Sequence, residues 1–310
     1  MLTVQDREAL SQLQLFARGV VEGIHVGRHR SPHKGASLEF KEHRQYARGD
    51  EIRAIDWKLF GKTDRLFIRQ YEDETSLRAM ILLDQSGSMA YQGKRARESK
   101  HQFAVRLSAC LATLLISQQD AVGLATLDTE LRCMIPARSK PSHLQVVFES
   151  LVQSRPGGET QLSMALQQSA SQLRRRGMIV LVSDCFDSVD DVLKVLGLFR
   201  HSGSEIIVFQ ILDPDELDFP FHQRTKFKSL ENPAWERMAD PRAVRESYLA
   251  RLGEFQRRLS QGLLEERIDF IPCTSDMDYS RVLSTYLESR NSYRKTASLG
   301  TGMVHDRGGA

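Results

Sequence analysis

This chain of 310 residues is 41% hydrophobic and 27% charged, with 20 glycines and 9 prolines, proportions that exclude collagen-like, disordered and disulfide-scaffold classes. Its 43 Lys and Arg against 40 Asp and Glu leave +3, spread along the chain rather than gathered on one face, so nucleic acid is not the expected partner. Cys110, Cys133, Cys185 and Cys273 stand singly in apolar stretches with no Cys-x-x-Cys pair, as expected of reduced core residues in the cytoplasm.

At the N-terminus, Leu10, Leu13, Phe16, Val20 and Val21 recur at helical spacing and predict a helix from Thr3 to about Val21. A Gly, Arg and His-rich loop is expected from Gly23 to Gly35. His25, His29 and His33 fall four apart within it, yet Pro32 and the glycines argue against a helix that would align them on a metal. The first residues lack the basic-then-apolar order of a signal peptide, and no run approaches the roughly 18 apolar residues of a membrane span. A soluble, cytoplasmic chain is the expectation.

From Leu38 to Glu74, strand-like runs such as Leu66 to Tyr71 mix with turn signals at Gly49-Asp50 and Gly61, which reads as a small β-rich subdomain. Gly61-Lys62-Thr63 ends like a phosphate-binding loop, but Asp56 stands where that motif needs its first glycine. From Leu77 the pattern changes. Apolar runs at Met80 to Leu83, Ala121 to Leu127, Met178 to Val182, Ile206 to Leu212 and Ile268 to Pro272 alternate with helical stretches at about Arg95 to Ser117, Gln161 to Arg175 and Val189 to Arg200. Such runs predict an α/β fold, a doubly wound, mainly parallel sheet flanked by helices. Pro214 to Met238 interrupts the alternation and suggests one antiparallel strand pair, after which Asp240-Pro241 starts a long helix. The expected organisation is residues 1–34 as helix and loop, 35–76 as the β-rich subdomain, 77–288 as the α/β domain and 289–310 as a disordered tail.

In a doubly wound sheet, ligands gather outside the carboxyl ends of the strands. The first strand of the domain ends in ILLDQSGSM, which places the Asp84 carboxylate and the Ser86 and Ser88 hydroxyls in the following loop, with Gly87 allowing a tight turn. Thr160, after Gly157-Gly158-Glu159, and Asp184, closing the strand IVLVSD, belong to the same edge of such a sheet. Singly, each is an ordinary turn, cap or strand-end residue. Together they form a set of hard oxygen ligands suited to Mg²⁺, Mn²⁺ or Ca²⁺.

This order resembles the von Willebrand factor A domain and its metal-ion-dependent adhesion site, with Asp84, Ser86 and Ser88 matching the first motif, Thr160 the second and Asp184 the third. The resemblance implies a bound Mg²⁺ with a coordination position left for a partner's carboxylate. The stretch before it, with Glu39, Arg44, Tyr46, Gly49, Asp50, Arg53, Asp56 and Trp57, is similar to the bacterial family called domain of unknown function 58. Members of that family commonly accompany MoxR-type AAA+ ATPases. The resemblance therefore implies a non-catalytic, metal-dependent protein-binding module, partnered by such an ATPase or by a client offering an Asp or Glu, in assembly or maturation of complexes. Two alternatives stand beside it: a Mg²⁺-dependent phosphohydrolase with Asp84 as nucleophile, and a scaffold with an empty site.

Overall fold

The structure, a computed structural model, describes residues 3–28, 40–45, 57–63, 65–71, 77–159, 161–173, 177–231 and 234–300. The chain divides into a large unit, Met1–Ile24 with Leu77–Ala310, and a small one, His25–Ser76. In the small unit, strands β1 (Phe40–Gln45) and β2 (Phe67–Tyr71) pair antiparallel, and a short helix α2 (Trp57–Thr63) stands between them in sequence. Gly61 is thus helical instead of the expected turn; Leu59 and Phe60 on the same short helix are partly buried, Trp57 is exposed, and the Trp57 ring meets Phe60 edge-on at 6.2 Å. Of the family-like positions, Glu39, Tyr46, Gly49, Asp50, Arg53 and Asp56 lie outside the described residues, as do His29 and His33.

The large unit opens with α1 (Val4–Arg28), which continues past the expected end at Val21. The reason is its buried stripe: Leu10, Leu13, Ala17, Val21 and Ile24 repeat every three or four residues, and Ile24 extends it through Gly23. The central sheet has six strands in the order β5-β4-β3-β6-β7-β10, where β3 is Arg78–Asp84, β4 Ala121–Leu127, β5 Leu131–Arg138, β6 Met178–Ser183, β7 Glu205–Leu212 and β10 Asp269–Thr274. Every neighbouring pair is parallel except β4 with the edge strand β5. The expected fold class is the one found. The chain winds outward from β3 to β4 and β5, then crosses to β6 on the other side of β3, so the winding reverses between β3 and β6.

Helices cover both faces. On one lie α1, α3 (Lys100–Ser117), α4 (His143–Gln153) and α9 (Tyr279–Gly300), packing Phe103, Leu107, Leu111, Val147, Leu151 and Leu283 against Ile81, Leu83, Val180 and Phe209. On the other lie α5 (Leu162–Leu173), α6 (Val189–His201) and α8 (Pro241–Glu265), where Leu166, Leu196, Phe199 and Leu259 meet Leu82, Leu181 and Val208. Alternate strand residues thus feed opposite layers, the period-two rule of a sheet buried on both sides.

Three boundaries differ from expectation for local reasons. α3 begins at Lys100 rather than near Arg95, because Ser99 and Gln102 close a capping box, each side chain meeting the other's backbone N–H at 3.2 Å. The last helix, α9, runs to Gly300 instead of giving way to a disordered tail after Glu288. Ser289 donates to Asp269 at 2.9 Å, and Arg290, largely buried, donates to the Tyr286 hydroxyl at 3.3 Å and faces Asp120 at 3.6 Å. β5 and α4 add an edge strand and a helix to the alternation. Among the described residues no helix is long and apolar enough to cross a membrane.

The interruption after β7 is built as expected and more: a one-turn helix α7 (Pro214–Asp218), then the antiparallel hairpin of β8 (Thr225–Lys228) and β9 (Glu236–Ala239). Asp240 then caps α8, its carboxylate accepting the Arg242 N–H at 3.0 Å, with Pro241 in the first turn.

Candidate functional site

Asp84 is the last residue of β3, and Ser183-Asp184 closes β6, its parallel neighbour; the two carboxylates therefore arrive side by side at the point where the winding reverses. Both are buried, 1% and 0% exposed, as is Ser86 at 0%. The Asp84 carboxylate accepts the Ser86 N–H on Oδ1 at 2.8 Å and the Ser183 hydroxyl on Oδ2 at 2.5 Å. Ser86 Oγ and Ser88 Oγ stand 3.1 Å apart, on a loop that continues as one 3₁₀ turn, Gly87–Ala90.

That loop is pinned from three directions. Gln85 N–H donates to the Leu127 carbonyl at the end of β4 at 2.6 Å, Gly157 N–H donates to the Gln85 carbonyl at 2.9 Å, and Gly87 N–H donates to the Gly158 carbonyl at 3.1 Å. Gly158 adopts a φ of +82°, which favours glycine, so the Gly157-Gly158 turn is shaped to lie against the Asp84 loop. Thr160, two residues on, lies outside the described residues. Gly87 is itself required: a β-carbon there would sit 2.5 Å from the Leu230 carbonyl oxygen and 2.7 Å from that of Gly158.

Asp184 accepts the Phe186 N–H at 3.0 Å on Oδ1, and on Oδ2 the ammonium of Lys100 at 2.9 Å. Lys100 is fully buried in the first turn of α3; it also donates to Glu216 of α7 at 2.7 Å and lies 4.7 Å from the centre of the Phe186 ring. Next to Asp184, Cys185 takes a φ of +59°, a conformation uncommon outside glycine, and its N–H donates to Ser183 Oγ at 2.8 Å. Ser183 thereby ties the two strand ends together, accepting from one and donating to the other.

Burial, reinforced by the charge of Asp184, pushes the Asp84 carboxyl up to about 7. Burial works against the Lys100 ammonium, but Asp184 and Glu216 more than offset it and hold the group charged. Glu216 is raised by burial, against the pull of Lys100. Asp84 is thus the carboxylate whose charge is least compensated. Among the described residues no three His, Cys, Asp or Glu side chains form a metal-holding group; here two carboxylates come with hydroxyls.

Of the five residues expected to share a site, Asp84, Ser86 and Ser88 stand on one loop and Asp184 on the adjoining strand end. Sequence reasoning passed over Lys100, Ser183 and Glu216. Lys100 did leave a signal: it falls on the apolar stripe of α3, in step with Phe103, Leu107 and Leu111, where a cation needs a buried counter-charge.

The profile of the family described as "Protein of unknown function DUF58" matches residues 42–257. The uncharacterized protein Rv1480 of Mycobacterium tuberculosis is 26% identical over 216 residues, covering 68% of this chain and 67% of that protein, and the uncharacterized protein Mb1516 of Mycobacterium bovis matches equally. Among solved structures, the conserved hypothetical protein BatB of Bacteroides thetaiotaomicron is similar at 13% identity, with a TM-score of 0.44 and coverage of 70% of this chain and 99% of that one. The SpRpn10 VWA domain is similar at 11% identity and a TM-score of 0.41, over 68% and 95% of the two chains.

Proposed function

This chain belongs to the DUF58 family, and from that premise we propose that it is a non-catalytic binding module that captures an acidic segment of a partner protein through a divalent cation. The observation that carries the reading is the pair of buried carboxylates, Asp84 and Asp184, delivered by adjacent strand ends to the reversal point of the sheet with the hydroxyls of Ser86 and Ser88 beside the first. Carboxylate and hydroxyl oxygens without a soft ligand fit Mg²⁺, with Mn²⁺ or Ca²⁺ as substitutes. The incomplete compensation of Asp84 also favours a cation, which would lower its raised pKa.

Asp84, Ser86, Ser88, Thr160 and Asp184 would hold the ion. Bound there, it would offer a coordination position to an Asp or Glu of the partner. The protein's own residues prepare the site: Ser183 fixes the Asp84 rotamer, the clasp from Gly157 and Gly158 sets the Ser86-Ser88 loop, and Lys100 holds Asp184 in place. By family resemblance, the partner is a MoxR-type AAA+ ATPase or its client, met in the cytoplasm during assembly or maturation of complexes.

Calorimetric titration with Mg²⁺ and Mn²⁺ tests the ion: heat is expected from the unmodified chain and none from an Asp84→Ala variant whose circular dichroism is unchanged. Capture of the ATPase should weaken in EDTA without unfolding, and capture retained in excess EDTA would overturn the metal-bridged reading.

One observation favours a second reading. A buried ammonium beside paired carboxylates is also what phosphoryl transfer to an aspartate requires. Lys100, however, bonds Asp184 and Glu216, while both oxygens of Asp84 accept hydrogen bonds from the protein. Phosphatase turnover lost in Asp84→Asn, with an acyl-phosphate trapped on Asp84, would establish the second reading over the first.

A further inference from the structure

A partner's carboxylate must reach the ion, yet of the loop and strand-end ligands only Ser88 is partly exposed, while Asp84, Ser86 and Asp184 are buried. Part of the cover is the segment between β7 and α8. The Leu230 carbonyl, beyond β8, stands so close over Gly87 that no β-carbon fits between them. Glu216 of α7 reaches Lys100 at 2.7 Å, held in aim by a capping box in which it also accepts the Asp213 N–H at 2.8 Å. The loop before α3 is gripped as well: Gly93 N–H donates to Asp213 at 2.8 Å, Lys94 N–H to Asp215 at 2.8 Å, and Arg95 bonds Asp215 and Asp218, each at 2.6 Å, and the Pro214 carbonyl.

These contacts are polar, whereas Phe219, the buried aromatic residue of the segment, belongs to neither core layer of the sheet. Phe219, Phe221 and Phe227 pack against one another, and Phe219 lies 4.7 Å from Tyr248 of α8. The segment is thus a small aromatic cluster carried by α8, fastened by charge to the start of α3 and to the loop before it, and laid over Gly87 by the Leu230 carbonyl. A two-stranded hairpin is marginal without such fastening. The segment leaves β7 at Asp213, the cap of α7, and rejoins the fold at Asp240, the cap of α8; backbone rotation at these two points would swing α7 and the hairpin away together without opening the sheet.

We infer that α7 and the β8–β9 hairpin form a displaceable lid over the Asp84-Ser86-Ser88 loop, latched by Glu216 on Lys100 and by Asp215 and Asp218 on Arg95, and that partner binding requires the lid to open. The inference rests on the metal-bridged reading for its purpose, but the lid itself is testable without metal.

Ser86→Cys places a thiol at the enclosed position, and maleimide labelling of residue 86, resolved by mass spectrometry, reports access. Labelling is expected to be slow behind the intact lid. It should rise about tenfold or more when residues 225–239, whose ends are paired neighbours, are replaced by Gly-Gly, and to a lesser degree with the milder Glu216→Gln, while buried Cys110 stays unlabelled. Equal rates at position 86 in all three chains would overturn the lid. Mn²⁺ binding, followed by electron paramagnetic resonance in chains that retain Ser86, separates the two ideas. Faster labelling with no Mn²⁺ bound anywhere upholds the lid and removes the metal reading. Mn²⁺ bound at equal rates with unchanged labelling removes the lid and leaves the metal reading standing.

Discussion

Lys100 occupies a core position of α3, and it is tolerated there because Asp184 and Glu216 share its charge. Removing one member of a buried ion group strands the others, which typically costs about 3–5 kcal/mol. Lys100→Met should therefore destabilise the protein by roughly 3 kcal/mol in urea unfolding, and adding Glu216→Gln should recover part of that loss. Gly87→Ala should cost about 1–3 kcal/mol by the same assay, since the obstructing atoms are backbone carbonyls that cannot rotate aside. His101 gives a pH signature. Buried in α3, it pairs with the Ser154 hydroxyl at 3.2 Å; that hydroxyl donates its proton to the Leu151 carbonyl, so the ring is the donor. Burial, aided by Arg155, pulls its pKa from 6.5 down to about 4. The unfolded chain therefore takes up the proton first as pH falls, and stability present in full above pH 6.5 is lost on the way to pH 4, by about 3 kcal/mol. Urea titrations at pH 7 and 4.5 should show a smaller drop for His101→Gln than for the unmodified protein. Asp84, Ser86, Ser88 and Asp184 were legible because strand ends and their loops are local signals. Lys100, Ser183 and Glu216 were not, because their roles arise only where distant segments meet.

Among the elements, the strands that carry an unbroken apolar run were the most legible, and β3, β4, β6, β7 and β10 all lie on the runs that announced them. β5 carried a weaker signal. It is half-exposed, and Pro136 within it breaks the strand pattern, so propensity alone demotes it. The continuation of α1 and α9 past expectation follows tertiary contact at Ile24 and at Ser289 and Arg290. Arg290 illustrates the point, linking α9 to Asp120 beside β4. Arg290→Ala should lower stability by about 1–2 kcal/mol, and truncation after Glu288 by at least as much, because the latter also removes the Ser289 bond to Asp269. A thermal melt unchanged by either alteration would place the end of the folded chain at Glu288 after all.

At the scale of the molecule, order along the chain and grouping in space part company. The first helix belongs to the large unit although the small unit, His25–Ser76, separates it from β3 in sequence. Leu10, Leu13, Ala17 and Val21 are buried in the core that contains Phe103 and Leu107. A chain begun at Leu77 would leave that core open, and it should melt at lower temperature and scatter light on warming. The boundary at Leu77 was legible as a change of pattern; the return of the N-terminus was not, since an amphipathic helix does not name the surface it covers. The two margins of the sheet carry a different consequence. Pro136 interrupts β5 at an irregularity in its pairing, and Pro272 stands exposed in β10, so each margin lacks a donor that a further strand would need. Lengthening of the sheet by strands from a neighbouring molecule is disfavoured at both sides, which protects an apolar sheet from fibril-like growth and steers associations to its loops and helices.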